Sequence, residues 1–564
     1  MKTFLPWVLS ALLAGWGLSA AAQEAEILSL TGASSLEELD ESEYERLDAL
    51  RSAPVRINTA SAARLQSCGL FTRFQVLSLL DYRKQGGDIL SISELALIDG
   101  FSRERAEALA PFISLYSPAA AGQTTHSDIR HDLILRFDGR DGRRGYAAKY
   151  RITGEGRYSG ALTARKTASE QAGTPDSWSF NMTRAFRNRP GKLMLGDFNA
   201  RFGQGLTLWN GFSLGGLTTA ESFARHPTGL SPAWSLSPDG PLRGMAADLG
   251  TGRMTWSVVT AFPGLRARMD GDTQAPVTAF SAVNATWTGR SAELSATTVL
   301  APPASGYVSK AAADFRWTRG RIGSFGEVSL DLTERTCAAV GGLIWSPAYR
   351  KKLSLVARHY PDRFGDAVTG GVRAGSRCRG ESGIAAGIQL PWLRATADLA
   401  RFPAKAESRT RLLCILPLTF REQYALSPRV SLRWKDGVLR EEYRLEASWT
   451  GTPWLVKLRA DAVRCTETAR LAYAEGGCKT EFFQLYARAG VFKVDNWDDR
   501  IYVYERDAPG CFNVPAYYGR GYSASLTGGF RWKRHKLYLR LGAVHYVTDK
   551  PDKKECRVQY TLDL

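Results

Sequence analysis

From about residue 128 to its end the chain alternates apolar and polar side chains at period two, in short segments broken by turns. Val430, Leu432 and Trp434 alternate with Arg429, Ser431, Arg433 and Lys435, and Asp436-Gly437 follows as a hairpin signal. Tyr443, Leu445, Ala447 and Trp449 then alternate with Glu442, Arg444, Glu446 and Ser448. After Gly451-Thr452-Pro453 the next segment sets Trp454, Val456, Leu458 and Ala460 against Lys457, Arg459 and Asp461. One apolar face and one repeatedly charged face, over many strands, is what a sheet closed on itself in lipid requires. The outward residues meet acyl chains, the inward ones meet water, and closure leaves no backbone edge unpaired. A soluble sandwich or propeller would alternate too, but it gives no reason for arginine at so many alternate positions. The expected fold is mainly β: a large transmembrane antiparallel barrel of about 18–24 strands over residues 128–564.

Trp and Tyr cluster near the segment ends, as an interfacial girdle would place them. The last segment alternates Val558, Tyr560, Leu562 and Leu564 with Arg557, Gln559, Thr561 and Asp563. A terminal amphipathic strand with a hydrophobic last residue resembles the assembly signal of outer-membrane barrels. No later apolar run is long enough to be a membrane-spanning helix, which excludes a helical membrane protein.

The first residues read as a secretory signal, 1–22: Lys2, an apolar stretch from Phe4, and small residues Ser19-Ala20-Ala21-Ala22 before a cut. Charge then divides the chain. The first 117 residues carry 15 acidic and 10 basic side chains, so with a formal total of +18 the remainder carries +23. An acidic helical lead-in is expected over 23–53, where Leu36, Leu39, Tyr44, Leu47 and Leu50 make a loose apolar stripe; it reads as a solvated helix with no chemistry of its own. Residues 119–127 are expected as a linker.

Between them, 54–118 reads as two helix–hairpin–helix units. Ile57-Asn58-Thr59-Ala60 supplies caps for a helix closing at Leu65, and further helices are expected over Arg73 to Lys84, Ser93 to Ile98 and Arg103 to Phe112. The order Ile-Asn-Thr-Ala, Gly-Leu, Asp-Tyr-Arg, Ser-Ile-Ser-Glu-Leu and Ile-Asp-Gly-Phe resembles the ComEA-like module of competence DNA receptors, over about Arg56 to Tyr116. That resemblance implies DNA phosphate held at the hairpins, by backbone N–H groups of Gly69, Leu70, Gly100, Phe101 and Ser102, with Arg103 and Arg105 nearby. Each hairpin here lacks the family's second glycine, and the segment Pro54 to Ser117 carries 7 basic and 6 acidic residues. Phosphate neutralisation, the main source of non-specific DNA affinity, is therefore thin. Packing or protein contact stands beside DNA binding as a role for the module. With the acidic helix, Phe-Gly-Gln-Gly-Leu-Thr-Leu-Trp and Val-Pro-Ala-Tyr-Tyr-Gly added, most of the mature chain resembles a Bacteroidetes-type family of helix-hairpin-helix domain proteins. That likeness implies an outer-membrane setting.

Alternation fails for nearly forty residues after Gly196-Asp197-Phe198. We expect a loop folded into the barrel as a constriction there, with Asp197, Gln204, Trp209 and Asn210 as its candidate residues. A second irregular stretch runs from Tyr504 to Gly519. Cys465 and Cys478 bracket a loop-like segment and are a candidate disulfide in an oxidising compartment. No nucleophile elbow, phosphate loop or metal-ligand spacing stands out, so no enzyme activity, metal or cofactor is expected. The partners expected are outer-membrane lipid, DNA and a periplasmic protein. The function expected is binding or passage of a polyanion such as DNA. The alternative is a porin-like or assembly barrel whose front module is a plug or docking domain.

Overall fold

The computed structural model describes residues 26–563 apart from 29, 32, 34, 40, 118–128, 155–156, 171–172, 187–189, 212–216, 236–239, 263–278, 290, 303–304, 422 and 549. The expected signal segment, the linker at 119–127 and Leu564 lie outside the described residues.

Twenty-four antiparallel strands close into one barrel, at the upper end of the expected range. The first strand, Ile129–Arg140, pairs with the last, Lys553–Asp563, with Leu133 opposite Leu562 and Phe137 opposite Val558. Two short strands extend the sheet locally, Gly229–Pro232 against Gly191–Arg201 and Leu418–Phe420 against Tyr424–Lys435. The period-two faces fall as the sequence demands. Leu445, Leu458 and Leu537 are about half exposed on the outer wall, while Ser431, Arg459, Glu475 and Arg488 are buried inside it. Where a two-residue turn needs left-handed backbone the sequence supplies Asp141-Gly142 and Asp436-Gly437, all four at positive φ.

The two barrel ends differ. At the end carrying both barrel termini most connections are short, and outward Trp287, Trp317, Trp345, Trp392, Trp454 and Trp532 lie near it as a girdle. At the other end residues 202–241, 361–380 and 495–518 form long connections. Short turns at one mouth and long loops at the other are the usual polarity of outer-membrane barrels.

The front is helical. The single helix expected from Ser34 to Arg51 is instead a 3-10 turn, Leu36–Glu38, followed by α1, Glu41–Ser52. Helices α2 (Ala62–Ser67), α3 (Arg73–Gln85), α4 (Ile92–Leu95) and α5 (Arg103–Leu109) follow, each capped by a side-chain oxygen: Ser61, Thr72, Ser91 and Ser102. Thr72 and Gln75 complete a capping box. Asn58, expected as a cap, is buried and bonds across the module instead. It takes the Ile89 amide at 2.8 Å and donates to the Ile89 carbonyl at 2.9 Å. A two-residue parallel pairing of Val55–Arg56 with Ile113–Ser114, absent from the sequence reading, ties the module's ends together.

The disulfide is corrected. The segment after Cys465 is not a loop but the strand Thr468–Lys479, in which Cys478 pairs with Trp454 at the short-turn mouth while Cys465 sits at the long-loop mouth. A full strand separates the two thiols, and all eight cysteines are free.

Candidate functional site

The lumen is the site, because everything that could control passage converges in it. Its wall on one side is a ladder of inward guanidinium and ammonium groups, and the acidic front segment reaches them. Glu37 meets Arg459, and Arg444 at 3.5 Å. Glu38 meets Arg429 at 3.2 Å and Arg411 at 3.5 Å. Glu43 lies 3.8 Å from Arg201, and Glu45 meets Lys149 at 2.5 Å with both side chains about 95 % buried. Burial alone would raise these carboxyls. Arg459 and Arg444 instead hold Glu37 well below the carboxylate range, and Arg46 with Arg201 bring Glu43 down to about 2. Four carboxylates of one short segment thus hold six cations from distant parts of the wall. Arg459 and Arg444 also share Asp461. The segment read as a solvated helix is in fact bonded to the barrel wall through these four carboxylates. The signal that could have placed it was the −5 against +23 charge division.

The long-loop mouth sends chain inward to meet it. Tyr504 donates its amide to Glu37 at 3.1 Å and its hydroxyl lies 3.0 Å from that of Tyr44. Gly510 donates to Asp48 at 3.0 Å. Residues 495–518 are held in turn by the wall: Arg488 donates to the Tyr504 carbonyl at 2.7 Å, and Arg506 pairs with Glu475 at 2.6 Å.

The other half of the lumen is filled by the described residues within 202–241, knitted to 361–380. Inward Glu327 accepts the amides of Gln204 at 2.6 Å and Leu206 at 3.1 Å and the Thr207 hydroxyl at 2.9 Å. Trp209 donates its amide to the Val368 carbonyl at 2.7 Å, and Gly370 to the Gly205 carbonyl at 2.8 Å. Asp366 anchors the second loop on buried Lys310 at 2.8 Å. The expected constriction residues all lie here. Asp197 is fully buried at the loop's base, paired with Arg243 at 2.8 Å and accepting from Ser179 at 2.7 Å. Gln204 accepts the Arg225 amide at 2.9 Å. Asn210 donates to Gly240 at 2.9 Å, and Trp209 is buried. They brace the loop where the sequence reading gave them a pore to line.

The hairpin residues are placed as follows. Gly69 and Gly100 both take positive φ; a side chain added at Gly69 would meet the Arg46 guanidinium, and one at Gly100 the Phe74 ring. Leu70 and Phe101 are buried in the module's core. Ser102 caps α5. Arg105 donates to the Leu30 carbonyl at 3.2 Å and the Leu70 carbonyl at 2.8 Å. Arg103 pairs with Glu107 at 3.0 Å and lies over the Tyr349 ring, which belongs to a short turn of the barrel. Glu107 also accepts from the Tyr349 hydroxyl at 2.6 Å, so α5 docks on the rim of the barrel.

No protein-family model matches the chain, and no curated protein is similar to it in sequence. Solved structures similar in fold include the translocation pore of the P pilus usher PapC. It is 12 % identical over 77 % of this chain and 99 % of that one, with a TM-score of 0.38. Pseudomonas aeruginosa OccK7 is 8 % identical over 77 % of this chain and 98 % of that one, with a TM-score of 0.30. These are likenesses of barrel fold alone.

Proposed function

We propose that the protein is a gated passage through the outer membrane, closed by its own acidic front segment from the periplasmic side and by inward loops from the other. The observation that carries this is the set of ion pairs joining Glu37, Glu38, Glu43 and Glu45 to lumen cations. Buried ion pairs add little net stability but are costly to break from one side. They make a plug that stays in place until something exchanges with it or pulls it. The helix–hairpin–helix module, docked through Arg103 and Glu107 on Tyr349, is the handle by which a periplasmic protein would draw α1 out. In this reading the chain transports and does not catalyse.

DNA binding by the module draws less support, since the Arg105 guanidinium and the Gly69 and Gly100 hairpins are engaged within the protein. The test is single-channel conductance of the full chain in planar bilayers beside E37Q/E38Q/E45Q. We expect small, rare openings in the parent and frequent large ones in the variant. Equal conductance would overturn the plug. Salt-sensitive duplex-DNA binding by the full chain, lost on Gly100→Val, would favour the DNA reading.

A further inference from the structure

The outer wall carries a hollow floored by alanine. Ala474, Ala489, Ala524 and Ala543 are direct cross-strand neighbours, one on each of four consecutive strands. All four point outward, and with Ala460 and Ala472 they floor a depression flanked by the taller Leu458 and Tyr522. Its two adjoining lobes measure about 790 Å³ each. Outward alanines also adjoin one another at Ala285, Ala296 and Ala313, but this floor spans four strands and is crowned by a row of cations.

Above the hollow, towards the long-loop mouth, three outward cations stand side by side. Arg470 is opposite Lys493, and Lys493 is opposite Arg520; all three line the upper lobe. Like charges directly opposite one another on neighbouring strands repel. Asp495 relieves part of this, at 2.6 Å from Arg520 and 3.7 Å from Lys493, and among the described residues Arg470 has no carboxylate partner. Arg470 stands eight residues along its strand from Cys478, which pairs with the girdle residue Trp454. At a strand tilt of about 40° that is roughly 20 Å along the membrane normal, close to the far edge of an apolar band about 25 Å tall. The cations therefore sit at headgroup level and the alanines beneath them at acyl-chain level.

We infer that this hollow seats one phosphorylated, multiply acylated lipid of the leaflet at the long-loop mouth, with its acyl chains over the alanine floor and a phosphate between Arg470 and Lys493. Charge complementarity selects this occupant over a second copy of the chain, whose identical cationic row would face its own. The site is independent of whether the lumen is gated.

The test is native mass spectrometry of the full chain in mild detergent, loaded with bis-phosphorylated lipid A, with the same lipid stripped of phosphate, or with phosphatidylethanolamine. We expect one bis-phosphorylated molecule retained under activation that strips the other two. R470A/K493A lowers that preference roughly tenfold or more. A474L/A489L, which fills the hollow from outside without touching the lumen, abolishes retention of the bis-phosphorylated lipid. Failure of the parent to retain lipid A preferentially, or equal retention by both variants, overturns the site. So does a dimer in the same spectrum that A474L/A489L dissolves.

Discussion

Glu45 and Lys149 lie 104 positions apart in the sequence, one on a helix and one on a barrel strand, and meet at 2.5 Å inside the lumen. Glu45 spends its second oxygen on the Ser235 hydroxyl at 2.8 Å, so one carboxylate joins the front segment, the wall and an inward loop. Glu45→Gln leaves a buried ammonium without its counter-charge, a change that costs about 3–5 kcal/mol in comparable pairs. We expect E45Q to raise channel open probability and to expose α1 to added protease. The double variant E45M/K149M, which replaces the pair by apolar side chains of similar length, returns both readouts towards the parent. Equal opening by single and double variants would show that the pair does not hold the plug.

Acid should loosen the neighbouring contacts of the same segment. Burial pushes Glu37 and Glu43 upward, but their arginine partners outweigh it and leave Glu43 at about 2 and Glu37 well below its usual range. A released carboxylate titrates near pH ~4.3. A group whose docked form has the lower pKa favours docking fully above the released value and loses that contribution as pH falls through the docked one. Asp48 opposes this, since burial raises it more than Arg51 and the Gly510 amide lower it. Two lowered groups against one raised group give net loosening, so conductance should rise as pH falls from about 5 towards 2. In E37Q/E43Q that rise should be smaller. Conductance that falls with acid, or a variant with the parent's pH profile, would contradict it.

Strand and lumen were legible to different degrees. The barrel was readable because period-two alternation is imposed locally, residue by residue, by having lipid on one side. Arg429, Arg444 and Arg459 could thus be assigned inward without coordinates. What they face could not. Arg444 and Arg459 share nearby Asp461, but the partner that brings the front segment to them, Glu37, lies more than four hundred positions away, and no local pattern encodes a pairing of that span. The acidic segment reads as a solvated helix because charge is normally met by water; here it is met by a wall that arrives later in the chain. The same reasoning covers Asp197, Gln204, Trp209 and Asn210. Broken alternation marked their loop, but its contacts depend on Glu327 and on residues 361–380. The disulfide reading failed locally: the glycine-rich stretch beside Cys478 concealed a strand that Leu471 and Tyr473 specify by alternation.

The thiols give a direct check. With Cys465 and Cys478 at opposite ends of one strand, peptide mapping without reduction should show no fragment joining them, and Cys465→Ser should leave thermal unfolding unchanged within about 0.5 kcal/mol. A native Cys465–Cys478 bridge would mean that Thr468–Lys479 is out of register with Trp454–Arg464.

The two halves of the lumen should fail separately. The described residues within 202–241 hang on Glu327 and Asp197 and meet the acidic segment at Ser235 on Glu45, whereas Glu37 and Glu38 make their pairs elsewhere, on Arg459, Arg444, Arg429 and Arg411. Glu327→Ala removes three hydrogen bonds, two of them from backbone amides left buried, and each orphaned amide costs about 1–3 kcal/mol. The loop should detach around Glu327 while Glu37 and Glu38 stay docked on their own arginines, since distant sites without shared partners act nearly additively. We expect E327A to add a conductance level of its own, insensitive to pH over the range that moves the Glu37 contact. E37Q/E38Q/E327A should show both openings, with frequencies close to the product of those of E37Q/E38Q and E327A. A combined variant that opens no more often than E37Q/E38Q alone would show instead that the helix and the loop close one shared path in series.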